Sequence, residues 1–85
     1  MTGIEEQVIQ VVAETQKMDR AQITVDSTFE ELGIDSFDGV NLLYAIETEF
    51  DIRVSDEDAK KLRGIRDMVE GVERLLAAKP SSGGS

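Results

Sequence analysis

The stretch Leu32–Val40, LGIDSFDGV, sets the reading of the whole chain. Gly33 is a turn former, and Asp35 and Ser36 are residue types that favour helix entrances, so a helix is expected to begin at Ser36. Its pattern runs to about Phe50. At about 100° per residue, Gly39, Leu42, Leu43, Ile46 and Phe50 gather on one side, the expected core face. Phe37, Val40 and Tyr44 fall nearly opposite, among Asn41, Glu47 and Thr48. A helix with two apolar stripes either packs on both sides in a small bundle or shows one stripe to a partner. Asp38 and Glu47 beside the second row argue for exposure. Ser36 also has two readings. Its hydroxyl either caps the helix by accepting a backbone N–H, or it is the point at which another group is attached.

Working outward, Ser55 and Asp58 have the spacing of a start box for a short helix through about Leu62. A further helix is expected from Ile65 to Ala78, with Ile65, Met68, Val69, Val72, Leu75 and Leu76 on one stripe. Gly64 is an indifferent cap for it, and Gly71 costs about 1 kcal/mol against alanine in mid-helix. Pro80 stops that helix, and the Ser/Gly run after it reads as a flexible tail over 79–85, leaving 1–78 as one domain. Upstream, Thr2 and Glu5 have capping-box spacing, and Ile4, Val8, Val11 and Val12 form a helical stripe that fades near Lys17. Between them and Ser36 lies a long connection whose Ile23, Phe29, Leu32 and Ile34 suggest a loop pinned to the core. Its length without regular structure hints at function. The expected fold is all-α, a four-helix bundle with three longer helices and one short one, and a long loop between the first two.

The chain of 85 residues carries 18 acids against 9 bases and no histidine, for a net charge of −9. Between Asp26 and Asp58 Arg53 is the lone base, while Lys60, Lys61, Arg63 and Arg66 gather just after. Such a surface repels phosphate backbones and anionic lipid, so neither nucleic acid nor membrane is an expected partner. Basic protein surfaces are, through contacts that weaken with salt. No segment approaches the length of a membrane span, and the acidic start MTGIEEQV lacks the apolar run of a signal peptide. A cytoplasmic monomer is expected.

With no histidine, no cysteine and no glycine-rich phosphate loop, the chain lacks the usual means of activating a nucleophile, Ser36 included. The acids on a small helical surface read as solvated faces, so no catalytic role is assigned. Nor do they form a calcium loop. Counted from Asp35, the third, sixth and twelfth positions are Phe37, Val40 and Ile46, where a ligand, glycine and glutamate are required. Counted from Asp26, the sixth is Glu31 and the twelfth Phe37. No metal site is expected.

The run LGIDSFDGVNLLYAIETEFDIRVSDEDAKKL resembles the acyl carrier protein family. The family's Gly, any residue, Asp-Ser and a large apolar residue are matched by Gly33, Ile34, Asp35, Ser36 and Phe37. The Glu49–Phe50 helix end and the acidic SDEDA before a short helix match too, and the similarity covers about Ile4 to Leu76. The resemblance implies that Ser36 receives a 4′-phosphopantetheine through a phosphodiester, from coenzyme A, by a dedicated phosphopantetheinyl transferase. The arm would supply the thiol that the chain lacks and carry acyl groups as thioesters. It further implies that enzymes with basic surfaces dock on the second helix, through Asp35, Asp38 and Glu47 with Phe37, Val40 and Tyr44, and with Asn41 on the same face. Leu43, Ile46, Ala59, Leu62 and Met68 are candidates to line an acyl pocket, or are ordinary core.

The chain departs from the family at several positions. Phe37 replaces the common Leu or Ile, Asn41 and Thr48 stand where acids are frequent, Tyr44 where an aliphatic or Met is usual, and Gly64 where a Ser or Thr cap is usual. These departures bear on which enzymes dock, and they fit a specialised carrier for a polyketide or a modified lipid as well as a fatty-acid carrier. An aminoacyl or peptidyl carrier would share Ser36 and the fold. An unmodified acidic adaptor would use the Phe37–Tyr44 row alone.

Overall fold

A computed structural model describes residues 3–78. Helix α1 spans Ile4–Gln16, α2 Ser36–Phe50, α3 Asp56–Lys60 and α4 Ile65–Ala78. The α1 stripe turns inward as its spacing requires: Val8, Val11 and Val12 are buried, joined by Ile9 and Ala13, and Ile4 is half-buried. The start of α1 differs from the expected capping box. Thr2 lies outside the described residues, the N-cap position falls to Gly3, and Gly3 offers no side-chain oxygen to the first turn. At the other end Lys17 takes the left-handed conformation, φ 55°, so that the Lys17 and Met18 N–H groups both close onto the Ala13 carbonyl.

From α2 the core receives Leu42 and Ile46, both without solvent exposure. From α4 it receives Ile65, Met68, Val69 and Val72, while Leu75 and Leu76 near the helix end are half-buried. The helix pairs that pack along their length are α1 with α2 and α1 with α4. The α1 valines thus form the centre of the bundle, and α2 and α4 lie against them.

The long connection is more ordered than its composition suggests. Asp19 caps a 3₁₀ turn at Arg20–Gln22 by accepting the Ala21 N–H. Ile23 and Ile34 are buried and Phe29 and Leu32 half-buried, so the loop is pinned at the points expected. Thr28 and Glu31 satisfy each other: the Thr28 N–H donates to the Glu31 carboxylate at 2.9 Å, and the Glu31 N–H to the Thr28 hydroxyl at 3.1 Å. This reciprocal box, legible as TFEE, shapes the turn before Gly33, which sits at φ +75°.

The loop is also tied to the start of α4. Phe29 N–H donates to the Arg63 carbonyl and Ile65 N–H to the Ser27 carbonyl, each at 2.9 Å, around an antiparallel bridge between Thr28 and Gly64. A Cβ at position 64 would lie 2.6 Å from the Ser27 carbonyl oxygen. Gly64 is therefore fixed by this close approach of two backbones, and its weakness as a cap is incidental. Arg66 of α4 adds an ion pair to Asp26. Helix α3 begins as expected, with the Ser55 hydroxyl accepting the Asp58 N–H at 3.1 Å, but it stops at Lys60 and not near Leu62. There the chain tightens into i→i+3 bonds, from Lys61 to Asp58 and from Leu62 to Ala59, which turn Leu62 back toward the core. Among the described residues no helix is long and apolar enough to cross a membrane. The expected tail at 79–85 lies outside them.

Candidate functional site

The cap of α2 is Asp35. Its backbone is extended, and its carboxylate accepts the Asp38 N–H at 2.8 Å. Ser36 is the first helical residue, so it is not the cap that one reading of the sequence made it. Its side chain is exposed and its hydroxyl makes no hydrogen bond among the described residues. Asp35 carries out the structural duty that would otherwise have occupied the serine. The hydroxyl projects at the end of α2 where backbone N–H groups point outward and the helix dipole is positive, a setting that favours an attached anion.

The second apolar stripe faces solvent. Phe37 is 80% exposed, Val40 67% and Tyr44 72%, so among the described residues none of the three belongs to the core. The row starts one residue after Ser36 and runs away from it along α2. Asn41 is exposed on the same side, and Asp38 is half-buried near its start. Glu47, expected as an acid of the docking face, is less exposed than its place beside the row suggested. It is half-buried, and its carboxylate accepts the Val54 N–H at 2.7 Å.

Beside Ser36 opens a groove of about 690 Å³. Helix α2 contributes Ser36, Gly39, Val40 and Leu43, the pinned loop contributes Phe29 and Ile34, α3 and the turn after it contribute Ala59 and Leu62, and Met68 closes it from α4. Four of the pocket candidates, Leu43, Ala59, Leu62 and Met68, are thus brought together next to the serine. The fifth, Ile46, is not among the lining residues. It is fully buried against the bundle centre, because it falls on the face of α2 that α1 covers.

Several lining residues carried no sequence signal for this role. Phe29, Ile34, Lys60 and Arg63 reach the groove because the loop before α2 is hydrogen-bonded to the turn before α4, a juxtaposition that no periodicity records. The reciprocal Thr28–Glu31 box was the available clue that this loop holds a fixed shape.

The site fits a 4′-phosphopantetheine on its own geometry. It offers an exposed, unengaged alcohol at a helix N-terminus and an apolar groove beginning at that alcohol. It offers no base in contact with the hydroxyl and no cluster of metal-ligating side chains among the described residues. Comparison with known proteins gives the same answer. The family model described as a phosphopantetheine attachment site matches residues 6–72. The chain is similar to the crystal structure of an acyl carrier protein from Thermotoga maritima, with a TM-score of 0.75 and 30% identity over 85% of each chain.

Proposed function

From the premise that this chain belongs to the acyl carrier protein family, we propose that it tethers acyl intermediates as thioesters on a 4′-phosphopantetheine arm at Ser36 and delivers them to fatty-acid, polyketide or lipid-modifying enzymes. A carrier of this family is not an enzyme; it works by holding and presenting. The single observation that carries the assignment to Ser36 is the division of labour at the α2 start, where Asp35 caps the helix and leaves the adjacent hydroxyl free.

The prosthetic arm supplies a thiol on a long flexible stem, which the cysteine-free chain cannot. The residues of the chain do the rest. Ser36 fixes the point of attachment, and the N-terminal end of α2 favours the phosphodiester charge placed there. No described residue hydrogen-bonds the hydroxyl, so the modifying transferase must supply the base that takes its proton. Leu43, Leu62 and Met68 offer an acyl chain a place out of water. Phe37, Val40 and Tyr44 give arriving enzymes an apolar ridge beside the arm, and the acids around it attract basic surfaces. Electrostatic steering with a small apolar contact gives fast association and fast release, as delivery to successive enzymes demands.

Incubation with coenzyme A and a broad-specificity phosphopantetheinyl transferase, followed by intact-mass measurement, tests the assignment. One arm is expected on the wild type and none on Ser36→Ala. A wild type left unmodified by several such transferases refutes it. Loading the modified protein with fatty acyl, malonyl and aminoacyl donors then separates an acyl carrier from an aminoacyl or peptidyl carrier.

A further inference from the structure

Glu47 lies three residues beyond Tyr44 on the same helix, and it gathers the chain that follows. Its carbonyl accepts the N–H of Asp51 and, at 3.1 Å, that of Ile52. Its carboxylate accepts the N–H of Val54 at 2.7 Å in a half-buried setting. A charged acceptor at this distance makes a strong bond, and removing it leaves a partly buried donor unsatisfied. The segment held in this way leads directly into α3.

Apart from Leu62 just after it, which packs against the core, helix α3 has few contacts with the bundle. It contributes no buried residue, and it does not pack extensively on any other helix. It is suspended by its ends. At the far end, the Phe29–Arg63 and Ser27–Ile65 backbone bonds anchor the turn before α4. At the near end, Ile52 packs against the core and the Glu47 carboxylate holds Val54, one residue before the Ser55 cap. Between these anchors lie Ala59 and Leu62, which form one wall of the groove beside Ser36.

We propose that Glu47 is a positioning residue for the cargo groove. By tying Val54 to α2 it fixes α3, and so sets how closely the Ala59–Leu62 wall approaches Leu43 across the groove. The proposal rests on the reading of that groove as the place of the acyl chain.

Amide hydrogen exchange on the unmodified protein tests the mechanical part. In Glu47→Ala the amides of residues 54–62 are expected to exchange at least about tenfold faster, the factor that a loss of roughly 1.4 kcal/mol produces. The α1 and α4 core amides should keep their rates. Glu47→Gln, which retains an oxygen acceptor, should restore most of the protection. Unchanged exchange across 54–62, or equal acceleration throughout the molecule, overturns the proposal. The second measurement uses carriers loaded with octanoyl or acetyl groups and follows thioester cleavage by hydroxylamine. Glu47→Ala should expose the octanoyl thioester to faster cleavage and leave the acetyl thioester, too short to reach the groove, unaffected. Faster exchange in α3 with unaltered octanoyl cleavage also overturns it. The exchange experiment needs no arm, so a failure of attachment at Ser36 shows separately as a missing mass.

Discussion

The Asp35 carboxylate accepts the Asp38 N–H at 2.8 Å and closes the first turn of α2 over Ser36, whose hydroxyl takes no part in the cap. The two adjacent residues therefore divide structure and chemistry between them. Replacing Asp35 by alanine should lower stability by about 1 kcal/mol, with asparagine recovering most of it. Replacing Ser36 by alanine should change stability by no more than about 0.5 kcal/mol while abolishing attachment of the arm. Urea denaturation of the unmodified proteins, read beside the mass measurement, checks both. A Ser36→Ala loss as large as that of Asp35→Ala contradicts the assignment of the cap.

The contact of Gly64 with the Ser27 carbonyl leaves no room for a Cβ. The obstacle is backbone, which cannot rotate away as a side chain would. Gly64→Ala should cost about 1–3 kcal/mol, the range for forced overpacking, and should speed amide exchange at Phe29 and Ile65, whose bonds flank the bridge. Normal protection at those two amides in the variant would show that the loop accommodates the methyl group.

Gly71 presents the opposite case. A Cβ there would meet only the Leu62 Cδ2, at an ordinary 3.9 Å. Gly71→Ala should therefore gain the helix-propensity difference, up to about 1 kcal/mol. At Lys17 the strain is conformational: a lysine sits at φ 55°, where glycine is at ease. Lys17→Gly should stabilise by about 0.5–1 kcal/mol. Thermal or urea midpoints measure both gains, and a loss of stability at either position would refute the corresponding reading.

Ile46 and Leu43 are neighbouring apolar positions on α2 with different surroundings. Ile46→Ala opens a cavity at the bundle centre and should cost about 2–5 kcal/mol, enough to unfold much of a domain this small. Leu43, half-buried at the groove, should cost distinctly less on truncation and should alter the lability of a long acyl thioester. Equal destabilisation by the two variants would place Leu43 in the core.

Tyr44 is 72% exposed and supports nothing in the fold, so Tyr44→Ala should leave stability within about 0.5 kcal/mol of wild type. If the ridge receives partner enzymes, the same change should weaken transferase binding by about 1–2 kcal/mol, roughly a tenfold rise in KM. Added salt should weaken wild type and variant alike, because the steering charges remain in both. A KM that ignores Tyr44→Ala, Phe37→Ala and Val40→Ala together removes the ridge from the docking surface.

Much of the fold was legible because helical spacing is a local property. The α4 stripe from Ile65 to Val72, the α2 face of Leu42 and Ile46, and the Ser55 start of α3 could be read from side-chain order alone, since each follows from 3.6 residues per turn and the chemistry of a cap. The exposure of Phe37, Val40 and Tyr44 also followed, from the acids beside them. Tertiary structure decided what local order leaves open. Whether Asp35 or Ser36 caps α2 depends on backbone angles at the entrance, and both residue types suit the position. Whether Ile46 belongs to the groove or the core depends on where α1 lies. The loop wall of the groove is held where the Phe29 N–H bonds to the Arg63 carbonyl and the Ile65 N–H to the Ser27 carbonyl, and Gly64 and Glu47 meet backbone groups that are close in space but lie outside any sequence pattern that includes them. Hydrogen bonds between segments with no shared periodicity leave no trace in the order of residues, so only the folded chain reveals them.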